Sequence, residues 1–150
     1  MRWIDTAKQW RSSESENFDV GAMVVGPNER GQTLGEAVGG AGIAWNLKPR
    51  QTFDVHGYPA EAPFDGETQR LCQGTRFLGH DPNSFVSPGP LNLAVACGLK
   101  GGASGGGWMI VGETLNSVTD YGYFDEGSPA YGPYFGKEAA RLYGRAAAVR

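Results

Sequence analysis

The residues best suited to chemistry are Gly101-Gly102-Ala103-Ser104-Gly105-Gly106-Gly107-Trp108. A single serine sits in a run that, Ala103 apart, carries no β-carbon. Glycine lets the backbone take turns closed to other residues and lets another chain approach closely. Such a run can be a flexible linker. Here the apolar stretch Trp108-Met109-Ile110-Val111 follows at once and predicts a buried strand. A serine on a tight turn feeding a core strand can present a nucleophile, and the same turn can aim backbone N–H groups at a developing oxyanion. The second candidate is Asp19, heading the apolar run Val20 to Val25. A carboxylate entering a buried strand is costly unless its charge is compensated. The alternative is an aspartate capping a strand at the surface.

Chain order separates the possible serine chemistries. Gly102-Ala103-Ser104-Gly105-Gly106 fits the G-x-S-x-G elbow of α/β-hydrolases, but that fold needs a helix after the serine and a histidine further downstream. Three glycines make a poor helix start, and no histidine follows Ser104. The order histidine, aspartate, serine places the acid upstream, where Asp19 stands. No Gly-Lys-Ser/Thr ending completes a phosphate-binding loop.

The elements around these residues are short. The chain has 150 residues, with 24 glycines and 9 prolines, yet 40% are apolar, which fits one turn-rich, packed domain better than disorder. A net charge of −3 without a basic cluster gives no support for nucleic acid or an anionic membrane. No window is apolar enough to span a bilayer. Residues 1–17 are polar, with 12–16 expected as an exposed loop. Strands are expected over 18–25, 39–45, 51–58, 68–78, 91–97, 108–111 and 115–123. Loops are expected over 80–90 and 125–129, and one helix over 137–147, where Ala139, Leu142, Tyr143 and Ala146 share a face. Roughly eight short strands and a terminal helix make an all-β barrel. Cys72 and Cys97 are the only cysteines. Both fall in strand contexts bounded by turns, which favours a disulfide over two buried thiols and implies an oxidising compartment. The start of the chain has no apolar leader, an apparent conflict with that compartment.

From Phe18 to Tyr143 the chain resembles the trypsin-like secreted serine proteases of bacteria, in the branch that includes the glutamyl endopeptidases. The shared residues are Asp19-Val20-Gly21-Ala22, Gly57-Tyr58-Pro59, Cys72-Gln73-Gly74-Thr75, Cys97 ahead of the serine, Gly-Gly-x-Ser-Gly-Gly, and Tyr131-Gly132-Pro133-Tyr134-Phe135. The resemblance implies a fold, the second antiparallel β-barrel of the chymotrypsin-like double barrel with a C-terminal helix at 136–147. Residues 18–150 would form that barrel, and 1–17 would lead in from the first. It implies Ser104 as nucleophile, Asp19 as the acid orienting a histidine, and the N–H groups of Gly102 and Ser104 as the oxyanion hole. Gly98-Leu99-Lys100 and Thr119-Asp120-Tyr121-Gly122 match the walls of the specificity pocket. No metal and no cofactor are implied.

Two small departures are Ala103, where animal trypsins carry an aspartate that binds a freed amino terminus, and Gly107, where proline is usual. The large departure is the histidine. The family places it upstream of the acid, whereas His56 and His80 both lie between Asp19 and Ser104. Each is expected to be structural rather than a substitute base. The implied protein is therefore the carboxy-terminal half of a secreted serine endopeptidase, inactive alone, whose partners are a peptide substrate and the first barrel. That reading also accounts for a disulfide without a leader. The alternative is a pseudoprotease that binds peptides without cleaving them. A glutamate preference would draw on Lys100 and Thr119.

Overall fold

The computed structural model describes residues 1–83, 89–111, 113–123 and 127–149. The expected loops at 80–90 and 125–129 lie outside it at 84–88 and at 125–126. In chain order the elements are β1 (Trp3–Thr6), α1 (Lys8–Ser13), a 3-10 turn (Glu16–Phe18), β2 (Gly21–Val24), α2 (Leu34–Val38), β3 (Gly42–Ile43) and β4 (Thr52–Gly57). Then come β5 (Arg70–His80), β6 (Leu93–Val95), β7 (Gly107–Ile110), β8 (Thr114–Val118), β9 (Tyr121–Gly122), β10 (Ala130–Gly132) and α3 (Lys137–Ala147).

Eight strands form one sheet in the order β3-β8-β7-β4-β5-β6-β10-β9. Its ladders are antiparallel except for β3 with β8, which is parallel. Phe53, Val55, Leu93, Val95, Cys97, Trp108 and Ala130 bury their side chains together in its core. Alternation in β4 explains the choice, since Phe53 and Val55 point inward while Thr52, Asp54 and His56 do not. The ring of Trp108 meets Phe53 edge-on at 5.4 Å, and its Nε1–H donates to Thr119 Oγ1 at 2.9 Å. A buried indole thus keeps its polar atom satisfied. Gly74 interrupts the long strand β5 at φ +64°, and its N–H donates to the Asp54 carboxylate at 2.7 Å. A left-handed residue inside a strand is a place where glycine carries no steric penalty.

Cys72 on β5 and Cys97 beyond β6 are joined as a disulfide with Cα atoms 5.7 Å apart. Replacing both cysteines by alanine is expected to lower the unfolding free energy by about 2–5 kcal/mol. Denaturant titration reads the loss directly, and an unchanged midpoint would show that the crosslink contributes nothing.

The amino-terminal segment differs from expectation. Instead of a polar lead-in, β1 pairs with β2 in a separate two-stranded sheet, with Ile4 opposite Met23. The strand expected over 18–25 is thus shorter and stands apart from the large sheet. Residues 12–16, expected as an exposed loop, hold the end of α1 and the start of the 3-10 turn, and Ser15 and Asn17 are buried. The hairpin leans on α3, whose Arg145 reaches Asp5 Oδ2 and the Thr6 carbonyl, both at 3.0 Å. Arg11 also pairs with Asp5. On α3, Ala139 and Leu142 are buried, while Tyr143 stays half-exposed against Trp45 at 5.2 Å. The helix α2 was not expected either. Thr33 and Glu36 cap its start reciprocally.

Candidate active site

Ser104 stands where a tight turn enters β7. The turn closes on itself through Ala103 N–H to the Lys100 carbonyl at 3.2 Å and Gly106 N–H to the Ala103 carbonyl at 3.0 Å. It is tied to the β8–β9 connection by Gly105 N–H to Thr119 O at 2.7 Å and Thr119 N–H to Gly106 O at 2.8 Å. The hydroxyl of Ser104 is exposed and donates to the Asp120 carbonyl at 3.3 Å. Only glycine fits at 102: φ is +95°, and an added Cβ would lie 2.6 Å from the Ala60 nitrogen. Ala60 N–H in turn donates to Gly101 O at 2.7 Å, so a neighbouring loop holds this backbone. Among the described residues, the N–H groups of Gly102 and Ser104 have no hydrogen-bond acceptor of their own.

Gly98-Leu99-Lys100 and Thr119–Gly122 line one cavity of about 710 Å³ together with Ser104. Sequence positions that lie about 20 apart thereby meet at the serine. Lys100 Nζ donates to the Ala62 carbonyl at 3.1 Å and lies 3.8 Å from Glu61 on the cavity rim. A second hollow, of about 290 Å³, is bordered by Ser104, Gly102, the glycines 105 to 107, His56 and Tyr58. The His80 ring is engaged elsewhere: Nδ1 is 3.1 Å from the Asn92 carbonyl, and the ring packs edge-on against Phe77.

Asp19 follows the 3-10 turn, where its N–H donates to the Glu16 carbonyl at 3.2 Å. The charge of its carboxyl acts on the carboxyl of Asp120, the residue whose carbonyl receives the Ser104 hydroxyl. Asp19 and Ser104 therefore converge on one residue. Burial first, then the charge of Asp19, push the Asp120 carboxyl up to about 8.

Behind the cavity wall lies a polar cluster that was not expected from the sequence. Asp81, read as a loop residue, is almost fully buried and accepts from Tyr121 Oη at 2.6 Å and Tyr123 Oη at 2.7 Å. Burial opposes its charge, but the two phenols and the Asn83 N–H outweigh this and hold the Asp81 carboxyl below its usual range. Burial and the adjacent Asp81 push the Tyr121 phenol up. Tyr131 stacks on Tyr121 at 5.1 Å. The one signal available in sequence was the alternation of Tyr121 and Tyr123, which places both on one face of a strand.

Two solved structures share this fold over nearly the whole chain. A thermostable serine protease, AL20, from an extremophilic microorganism superposes with a TM-score of 0.83 at 31% identity, covering 99% of this chain and 67% of that one. Protease Anisep from Arthrobacter nicotinovorans gives 0.84 at 33% identity, covering 98% of this chain and 66% of that one. The chain thus spans about two thirds of either protein. No protein-family profile and no curated protein matches it. At this identity and coverage the relationship extends beyond a shared architecture, and the chain belongs to the trypsin-like, chymotrypsin-fold serine proteases of bacteria.

Proposed function

We propose that this chain carries the nucleophile, the orienting acid and the substrate pocket of a serine endopeptidase, and that its general base resides on a first barrel outside these residues. The observation that carries the reading is the convergence of Ser104 and Asp19 on Asp120 beside the 710 Å³ cavity. In the proposed reaction Ser104 Oγ attacks the peptide carbonyl while the imidazole takes its proton. The carbonyl oxygen becomes an oxyanion held by the N–H groups of Gly102 and Ser104. The C–N bond then breaks as the imidazolium returns the proton to the leaving amine, and water releases the acyl group by the same route. Asp19 orients the imidazole and offsets its positive charge.

The place where a first barrel would dock is suggested by the β1–β2 hairpin. Ile4 and Met23, directly opposite one another, are 61% and 59% exposed, a cost that a covering apolar surface would remove. The disulfide favours a secreted enzyme. Covalent labelling tests the assignment. A fluorophosphonate should modify residues 1–150 slowly and at Ser104, as mapped by peptide mass, and should do so much faster once the first barrel is bound. Modification at another serine, or no acceleration in a complex shown to have formed, would overturn it.

A further inference from the structure

Tyr121 and Tyr123, on either side of Gly122, both end on one buried carboxylate. The three residues line the 710 Å³ cavity together with Ser104. Tyr121 and Gly122 make up the whole of β9, which ends the sheet and pairs only with Tyr131 and Ala130 of β10. So short an edge strand is weakly held by its ladder. Asp81, just past β5 and 1% exposed, reaches it from elsewhere in the fold. One oxygen, Oδ2, accepts from Tyr121 Oη at 2.6 Å and from Tyr123 Oη at 2.7 Å, and Oδ1 accepts from the Asn83 N–H at 2.8 Å. Each phenol oxygen is in turn met by an amide, Asn92 Nδ2 at Tyr121 and Asn83 Nδ2 at Tyr123, both at 3.4 Å. In the sheet β6 and β10 separate β5 from β9, so these bonds join strands that share no ladder. Tyr131 completes the packing, stacked on Tyr121 at 5.1 Å and edge-on to Tyr123 at 5.4 Å.

We propose that Asp81 is a positioning residue for substrate binding: by gathering the Tyr121 and Tyr123 hydroxyls onto one oxygen, it fixes the edge strand that forms a wall of the cavity and so sets the width of the pocket beside Ser104. The inference rests on that cavity being the substrate pocket. Asp81 touches no substrate and moves no proton in the reaction. Hydrogen bonds to a charged acceptor are roughly twice as strong as neutral ones, and two of them act here on a strand of two residues. Stability alone does not account for the carboxylate, because a well-packed apolar residue commonly serves as well as a buried charge. What the carboxylate adds is direction. A single acceptor holds two side chains at one point, and neither ring can swing toward or away from the cavity without breaking its bond.

The test is Asp81→Asn, whose single carbonyl oxygen cannot serve both phenols and the Asn83 N–H in their present places. The first arm follows hydrogen exchange in residues 1–150. The Asp120 N–H, which donates to the Tyr131 carbonyl at 2.9 Å where β9 meets β10, is expected to exchange roughly 10-fold faster or more, and the Trp108 N–H in the core at an unchanged rate. No acceleration at Asp120, or an equal one at Trp108, overturns the clamp. The second arm has the first barrel supplied. There kcat/KM on a peptide that fills the cavity is expected to fall roughly 10- to 100-fold, mostly through KM, while labelling of Ser104 by a small fluorophosphonate that leaves the cavity empty slows by less than about threefold. Equal losses in the two measurements mark a general loss of structure and overturn the positioning role. Tyr123→Phe keeps the ring and removes one bond to Asp81, so it is expected to show the same split more weakly, and it decides the matter if Asp81→Asn does not fold. If the wild type cleaves no peptide with the barrel bound, the substrate role falls together with the pocket reading, and the exchange result is independent of that failure.

Discussion

Residues 1–150 alone are expected to show no appreciable peptide hydrolysis, and binding of a histidine-bearing first barrel is expected to raise the rate by roughly 10³-fold or more. The reason lies in proton transfer. Ser104 Oγ is a neutral hydroxyl hydrogen-bonded to a carbonyl, the Asp120 oxygen at 3.3 Å, and a carbonyl cannot take its proton. A base within hydrogen-bond reach is required. His80 is held by Asn92 and Phe77, and the ring of His56, on β4, forms no hydrogen bond among the described residues. The measurement is the initial rate on a fluorogenic peptide series, with and without the added barrel. Ser104→Ala should abolish the gain. Turnover by residues 1–150 that disappears on His56→Ala or His80→Ala would place the base within this chain and end the split-site reading.

Much of this arrangement was legible because it rests on local signals. The run from Lys137 is rich in strong helix formers, and α3 occupies Lys137–Ala147. Trp108 lies second in β7 and is fully buried, as its apolar run implied, although the strand stops at Ile110 and leaves Val111 95% exposed. What was illegible depends on long-range partners. The pairing of β1 with β2 joins segments separated by α1, and nothing in a polar stretch such as Ser15-Glu16-Asn17 announces that it will be buried. The capping residues of α2, Thr33 and Glu36, were readable in principle, but Gly35, Gly39 and Gly40 masked the helix by composition. The influence of Asp19 on Asp120 is of the same long-range kind. Each aspartate alone reads as a strand-end residue, and only the folded chain brings the charge of one to bear on the other.

Two adjacent glycines in the serine turn are expected to lose unequal stability on replacement by alanine, because each is glycine for a different reason. Gly105 has φ +78° but open space around its missing Cβ. Alanine there strains the backbone by about 1–2 kcal/mol and collides with nothing. Gly106 has an ordinary φ but no room. Its Cβ would sit 2.1 Å from the His56 carbonyl oxygen, 2.9 Å from the Ala103 oxygen and 3.1 Å from the Gly57 Cα, all of them backbone. No side-chain rotation can relieve such contacts, so β4 and the turn must move apart. That movement strains the Gly106–Ala103 and Thr119–Gly106 hydrogen bonds and, two residues on, the seat of Trp108 in the core. Gly106→Ala is therefore expected to lose about 3 kcal/mol or more of stability, at the upper end for overpacking. It should also slow Ser104 labelling in the presence of the first barrel, since the turn that presents the hydroxyl is displaced. Denaturant midpoints for Gly105→Ala and Gly106→Ala, measured side by side, decide the matter. Equal losses would mean that β4 yields to the turn at little cost, and that the close approach of the two chains does not fix the serine.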